Sequence, residues 1–246
     1  MFTRPSCHRP HLLKHNKITP RLAMNDIAQR IHDIKANLPG NVELVAVSKF
    51  HPKEAIMEAY EGGHRVFGES RANELVEKAR SLPDDIEWHF IGHLQTNKVS
   101  TVVPYVKMIQ SVDSERLLIK INNAACDTSR QVDVLLQLHV ALEETKFGFT
   151  LDEIDALLGT GLLDRLNMVK VRGVMGMASN VDDENRIRQD FMAIKSAFDA
   201  LKGKYFADDS DFNIISMGMS HDYETAVECG SNMVRIGTTI FGEREY

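Results

Sequence analysis

From Met24 onward the chain alternates between two hydrophobic rhythms. Short runs such as "VELVAVS" at 42–48 are almost continuously apolar and β-branched, the pattern of a strand buried on both faces. Between them lie longer segments with apolar residues three and four apart. In "MNDIAQRIHDIKANL" these are Ile27, Ile31 and Ile34, and Pro39-Gly40 follows, so a lead-in helix is predicted with a defined stop. A strand over 43–48 comes next, with a helix opening at Pro52. The same unit then repeats: "HRVFGE" before "RANELVEKARSL", "EWHFIG" before "LQTNKVSTVV", "KMIQSV" before "SERLLIKINNAAC", "VDVLLQLHV" before "LDEIDALLGTG", "VKVRGVMGM" before "DENRIRQDFMAIKSAFDAL", and "FNIISMG" before "DYETAVECG", with "NMVRIGTTIFG" closing the series. Eight strands alternating with helices imply parallel pairing through right-handed crossovers, which close most simply as a (β/α)8 TIM barrel. A doubly wound open sheet is the alternative, but no GxGxxG follows the first strand to serve as its phosphate loop.

Composition narrows the setting. The 246 residues, 43% of them hydrophobic, suit one α/β barrel domain, a fold of about 250 residues. Lys and Arg number 29 against 35 Asp and Glu, for a net charge of -6, which provides no polybasic footprint for nucleic acid. Cysteine occurs only at Cys7, Cys126 and Cys229, with no CxxC pair, so neither a disulfide framework nor a zinc ribbon is expected and a reducing, cytoplasmic location is. No apolar run approaches the roughly 20 residues that span a bilayer. Residues 1–23 differ from the rest, with five basic residues, three histidines, three prolines and no acid. An organelle transit peptide would share that bias, but the prolines interrupt any amphipathic helix. A disordered basic extension is expected there, with Met24 as the natural start and a single domain over 24–246.

In a barrel, function belongs at the C-terminal ends of the strands. Lys49 sits there at the end of the first strand, where desolvation beside the core would lower its pKa and favour a neutral, nucleophilic amine. A snorkelling surface lysine is the ordinary alternative. "RIGTT", Arg235 to Thr239, joins a glycine that permits close backbone approach to two hydroxyls and free amides, which is the chemistry of a phosphate seat. Ser216 and Gly218 in "ISMGMS" offer its second half, in the place where barrels often bind phosphate, after strands seven and eight. The same residues would also serve two ordinary tight turns. A lysine, a phosphate seat and an arginine at one barrel mouth point to pyridoxal 5'-phosphate, whose aldehyde forms a Schiff base with a lysine.

The ordered set "VAVSK", "FGESRANE", "WHFIGHLQTNK", "KFGF", "GVMGM" and "SMGMSHDYETAVECGSNMVRIGTTIFGER" closely resembles the pyridoxal phosphate homeostasis protein family, the YggS-like or proline synthase co-transcribed homologue proteins. The likeness runs unbroken from about Met24 to the C-terminus. It implies the barrel of the fold-type III enzymes, similar to the N-terminal barrel of alanine racemase, with the Schiff base at Lys49. It also implies that Ser216, Gly237 and Thr238 hold the phosphate, that Met217, Gly218 and Thr239 lie close by, and that Arg235 faces the pyridine nitrogen. Ser70 departs from the family pattern, in which asparagine commonly follows "FGE".

Arg235 stays protonated, so a ring nitrogen accepting its hydrogen bond remains unprotonated and is a weaker electron sink. Alanine racemase works with the same arrangement, so this alone does not separate a carrier from an enzyme. Racemase-type relatives add a β-domain with a second acid/base, whereas few residues follow "RIGTT" here, leaving two-base proton transfer without an evident partner. The resemblance, together with the short segment after "RIGTT", implies binding of pyridoxal 5'-phosphate in its homeostasis, as buffer, store or donor to apo enzymes, by a monomer with little or no catalysis. The alternative is an amino-acid racemase or lyase. Lys146 in "ETKFGF" offers a second amine at the same mouth, able to assist cofactor exchange. His89 and His93 are assigned packing and loop roles rather than metal binding, because Gly92 and a strand reading deny them helical spacing. "DDSD" at 208–211 lacks the glycine and glutamate of a calcium loop. The methionines of "GVMGMAS" and "SMGMS" fit a flexible apolar lining.

Overall fold

The continuous apolar runs become eight parallel strands: β1 (Glu43–Val47), β2 (Val66–Glu69), β3 (Glu87–Phe90), β4 (Met108–Val112), β5 (Val132–Gln137), β6 (Val169–Met175), β7 (Ile214–Ser216) and β8 (Met233–Ile236). This is a computed structural model, and it describes residues 26–142 and 147–243. Neighbours pair in sequence order, and β1 returns to β8 through Val45↔Arg235 and Ala46↔Ile236, which closes the barrel. The helices are α1 (Asp26–Asn37), α2 (Lys53–Glu61), α3 (Ala72–Ala79), α4 (Val99–Val102), α5 (Glu115–Asp127), α6 (Leu151–Gly159), α7 (Glu184–Tyr205), α8 (Tyr223–Glu228) and α9 (Thr238–Phe241). The (β/α)8 TIM barrel expected from the pattern is therefore the fold. The basic extension over 1–23 lies outside the described residues, as do 24, 25 and 244–246.

Strands are apolar on both faces because each borders a different core. One face meets the helices, where Leu44, Phe67, Phe90, Ile109, Phe191 and Val234 belong to one large buried cluster. The other faces the barrel axis, where Val45, Met108, Leu135, Met175 and Met233 pack into a second, smaller cluster. Strand side chains alternate faces, so the residues two positions further on return to the same inner face one step nearer the mouth. They are Val47, Gln110, Gln137, Met177 and Arg235. The inner face thus changes from apolar to partly polar towards the C-terminal end.

Helix boundaries follow local chemistry. The Ser114 hydroxyl accepts from the Leu117 amide at 3.4 Å to start α5, and Thr150 with Glu153 forms a capping box on α6. The helix expected through "LQTNKVSTVV" is shorter, a 3-10 turn at Thr96–Lys98 and the single turn α4. The β-branched run and Pro104 limit it. "NMVRIGTTIFG" divides into β8 and α9, so a helix begins directly after Gly237. The Ile27 amide in α1 donates to Glu58 at 2.8 Å, and Arg30 Nη1 donates to the Ile240 carbonyl at 2.9 Å, joining the first helix to the last. Among the described residues no helix is long and apolar enough to cross a membrane.

Candidate functional site

The C-terminal mouth of the barrel holds a cavity of about 470 Å³ reached by the ends of β1, β2, β3, β5, β6 and β8 and the loop after β7. Ligand pockets are ordinarily of about 300–1,000 Å³. Val47, Ile91 and Met177 supply apolar wall, and His93 stacks on Phe147 with ring centroids 3.7 Å apart to form one side. The Asp113 carboxylate lies 2.9 Å from His93 Nδ1, and the Phe147 carbonyl accepts from Gln137 Nε2 at 2.6 Å. Both residues of the aromatic side are therefore tied to the barrel, His93 through its ring and Phe147 through its main chain.

Lys49 lines this cavity, half-buried, two residues beyond the end of β1. The turn that carries it is tight: the His51 amide donates to the Ser48 carbonyl at 3.1 Å, and Phe50 takes a left-handed φ of 68°. For a bulky residue that conformation costs on the order of 1–3 kcal/mol and persists only where neighbours enforce it.

Arg235 forms part of the floor and is 4% exposed. Its Nη1 donates to the carbonyl and hydroxyl of Ser216 at 2.9 and 2.6 Å, and Nη2 donates to the Gly176 carbonyl at 3.0 Å. These take three of the five N–H donors of a guanidinium. Among the described residues no carboxylate lies within ion-pair distance of it. Burial lowers the pKa to about 10, with the field of Asp222 opposing, so the group stays charged at neutral pH. A buried cation with donors to spare at a pocket floor can bind an acceptor on a ligand.

The bonds beneath Arg235 form one consistent set of directions. Arginine cannot accept, so Ser216 Oγ accepts from it and its own proton goes to Gln110 Oε1 at 2.7 Å. That turns the Gln110 amide nitrogen towards Met233 Sδ at 3.2 Å and His89 Nδ1 at 2.9 Å. His89 Nδ1 must then accept, which leaves the ring proton on Nε2 and the imidazole neutral. Burial, helped by the charge of Lys107, pushes His89 down to about 3, in agreement. A polar chain Arg235–Ser216–Gln110–His89 thus runs through the barrel interior.

The phosphate-type donors gather after β7 and β8. Gly237 and Thr238 line the cavity with Ser220, whose hydroxyl accepts the Gly237 amide at 3.2 Å and keeps its own proton for another partner. Thr238 and Thr239 are the first two residues of α9, and amides in those positions have no acceptor inside a helix. A Cβ on Gly237 would stand 3.2 Å from the Val47 carbonyl, a contact that the glycine relieves where β1 and β8 meet. Gly218 has φ +98°, and a Cβ there would meet Ala226 Cβ at 2.6 Å, so glycine lets the β7 loop lie against α8.

Of the residues expected from sequence, Lys49, Arg235, Gly237 and Thr238 meet at the cavity, with Thr239 next to them on α9. Ser216 does not line it. Fully buried, its hydroxyl bonds to Arg235 and Gln110. Met217 is also fully buried, in the core between sheet and helices, and Gly218 shapes the loop. Lys146 lies outside the described residues. Ser220 and Gln110 were not singled out by sequence reasoning, and His89 was assigned only a packing or loop role. Ser220 stands within the quoted "SMGMS", whereas Gln110 and His89 looked like strand positions. The cavity also carries His51, His93 and His221, titratable groups beyond Lys49. Among the described residues no cluster of His, Cys, Asp and Glu is placed to hold a metal.

Fold and site together define a barrel of the alanine racemase kind. The family described as "Alanine racemase, N-terminal domain" matches residues 22–245. Alanine racemase from Clostridium difficile 630 shares the fold at TM-score 0.70 and 15% identity over 90% of this chain and 57% of that one. Closer in sequence are the pyridoxal phosphate homeostasis proteins of Vibrio alginolyticus, 35% identical over 91% of this chain and all of that one, and of Aquifex aeolicus, 39% identical over 83% and 88%. The chain belongs to the pyridoxal phosphate homeostasis protein family. PipY of Synechococcus elongatus PCC7942, solved with PLP bound, superposes at TM-score 0.80 with 34% identity, covering 88% of this chain and 100% of that one.

Proposed function

We propose that the protein binds pyridoxal 5'-phosphate and acts in its homeostasis, buffering, storing or delivering it to apo enzymes, as a monomer with little or no turnover of its own. The observation that carries this reading is Arg235: a buried cation with unused donors, without a contacting carboxylate among the described residues, in the same cavity as the Lys49 amine. The donor set fits the cofactor. Arg235 suits the ring nitrogen, Gly237, Thr238, Thr239 and Ser220 suit the phosphate, and Ile91, Met177 and the His93–Phe147 pair suit the faces of an aromatic ring. When bound, the cofactor supplies an aldehyde for reversible condensation with an amine. Lys49 would provide that amine, Arg235 would keep the ring nitrogen unprotonated, Ser216 holds Arg235, and the His93–Phe147 pair would cover one face of the ring. Lys146 is a second amine for exchange, and removing it is expected to slow transfer to an acceptor.

The test is direct. Purified protein titrated with the cofactor should develop visible absorbance, and borohydride should fix the label on Lys49. Lys49→Ala should lose both completely, and fixation mainly at another lysine in the wild type would reject the assignment. A racemase or lyase reading keeps one point in its favour, the presence of His51, His93 and His221 in the cavity as further proton carriers. Incubation of the loaded protein with single enantiomers of amino acids distinguishes the two, since a carrier leaves their chirality unchanged.

A further inference from the structure

Both peptide groups that flank Lys49 are bonded to charged side chains of α3. The Ser48 carbonyl accepts from Lys78 Nζ at 2.8 Å, and the Phe50 amide donates to Glu74 Oε1 at 2.6 Å. Lys78 also donates to Glu74 Oε1 and to Glu69 Oε1, each at 2.7 Å, and Glu69 accepts the Ser48 hydroxyl at 2.6 Å through the same oxygen. All three ammonium donors of Lys78 are thereby used. Lys78 is 4% exposed and Glu69 fully buried, and burial pushes the Glu69 carboxyl above the usual carboxylate range against the opposing pull of Lys78. Glu69 Oε2 finds no partner among the described residues. A lysine hidden this thoroughly is rare unless its charge is matched.

The placement is more specific than helix packing needs. A salt bridge that only seated α3 on the sheet could have met side chains alone, yet this one reaches the main chain on both sides of a single residue. Its other consequence is Phe50. A left-handed, non-glycine residue persists where its surroundings over-determine it, and here Glu74 holds its amide while Arg71 covers its ring at 4.3 Å from the centroid. We infer that Lys78 and Glu74 are positioning residues for Lys49: they clamp its turn so that the amine enters the cavity at one fixed angle. The inference rests on the proposed role of Lys49 as the amine that captures pyridoxal 5'-phosphate.

Two ligands separate positioning from general support. Pyridoxine 5'-phosphate has the same ring and phosphate but an alcohol where the aldehyde stands, so it uses the seat without needing Lys49. Glu74→Ala removes the acceptor for the Phe50 amide and leaves the buried Lys78–Glu69 pair in place, so the fold is kept. It is expected to weaken binding of pyridoxal 5'-phosphate by about tenfold or more, the scale of a misplaced reacting group, to leave pyridoxine 5'-phosphate binding unchanged, and to speed hydrogen exchange at the Phe50 amide. Lys78→Met should act in the same direction and more strongly where it folds. Equal loss of both ligands, no loss of either, or an unchanged Phe50 exchange rate in Glu74→Ala would overturn the clamp. A wild-type protein that binds neither ligand would instead reject the proposed function, while the exchange measurement still judges the clamp.

Discussion

On the β1 side of the cavity, an amine stands on a left-handed turn held by a buried lysine and two glutamates. On the β8 side, the donors are main-chain amides and small hydroxyls spaced by glycine, with little side-chain machinery above the floor. The difference reflects what each side must do. A carbon that forms a bond with an amine demands direction to within a fraction of an ångström, so the backbone that presents it must be stiff. An anion with several equivalent oxygens tolerates small rotations, and amides at a helix start face it without special support. Stiffness is concentrated where geometry matters, and it requires a charged network that is costly to bury.

The largest effect should come from removing what the β8 side recognises. Pyridoxal lacks the phosphate, and loss of at least two charge-assisted hydrogen bonds at about 1.5–3 kcal/mol each predicts binding weaker by a factor of about 100 or more. Equilibrium titration of the two vitamers checks it, and equal affinities would remove the seat from that side.

Next comes acid, which should strike the floor under Arg235. His89 is neutral and buried, with its pKa lowered from 6.5 to about 3. The unfolded chain therefore binds more protons than the folded one between those values. Stability is fully present above about pH 6.5 and declines as pH falls towards 3, with a slope approaching about 1.4 kcal/mol per unit from this residue. His64, buried and lowered to about 4, adds a second contribution of the same sign. Denaturant unfolding at stepped pH should show a shallower acid slope for His89→Gln, which keeps an acceptor for Gln110.

The smallest change is Ser220→Ala. It removes one hydroxyl from the seat and should weaken the phosphorylated vitamer by about 1.5 kcal/mol, the low end for one hydrogen bond to a charged group, leaving pyridoxal unaffected. A loss shared by both vitamers would place Ser220 in the architecture of the loop and not in phosphate recognition.

The two sides also differ in how far sequence reveals them. Lys49 and "RIGTT" are local signals, a charged residue closing an apolar run and a glycine beside hydroxyls, and the eight-strand rhythm placed both at one mouth. Ser216 belonged to a similar local motif, yet its partner Gln110 is 106 residues away and claims the hydroxyl. Pairings of that kind depend on barrel closure, which periodicity cannot report. Lys78 and Glu74 sit on a helix whose spacing reads as an ordinary solvated i,i+4 pair. Only the position of α3 over the β1 turn turns that pair inward. Met217 shows the limit of composition, since a methionine beside a barrel mouth faces either the cavity or the helices, and a step of one residue decides which.

The bond from Arg30 to the Ile240 carbonyl spans 210 positions. Together with the β1–β8 pairing, it means that the segment bearing the proposed phosphate donors is anchored by the first helix and the first strand. During synthesis the opening elements emerge early and wait, because their partners follow only after all the intervening strands. The Lys49 turn can form once α3 is made, but the seat opposite it cannot. A ribosome-bound chain stalled before β8 would therefore carry the amine without the donors proposed to recruit its ligand, so capture of the cofactor would report a closed barrel.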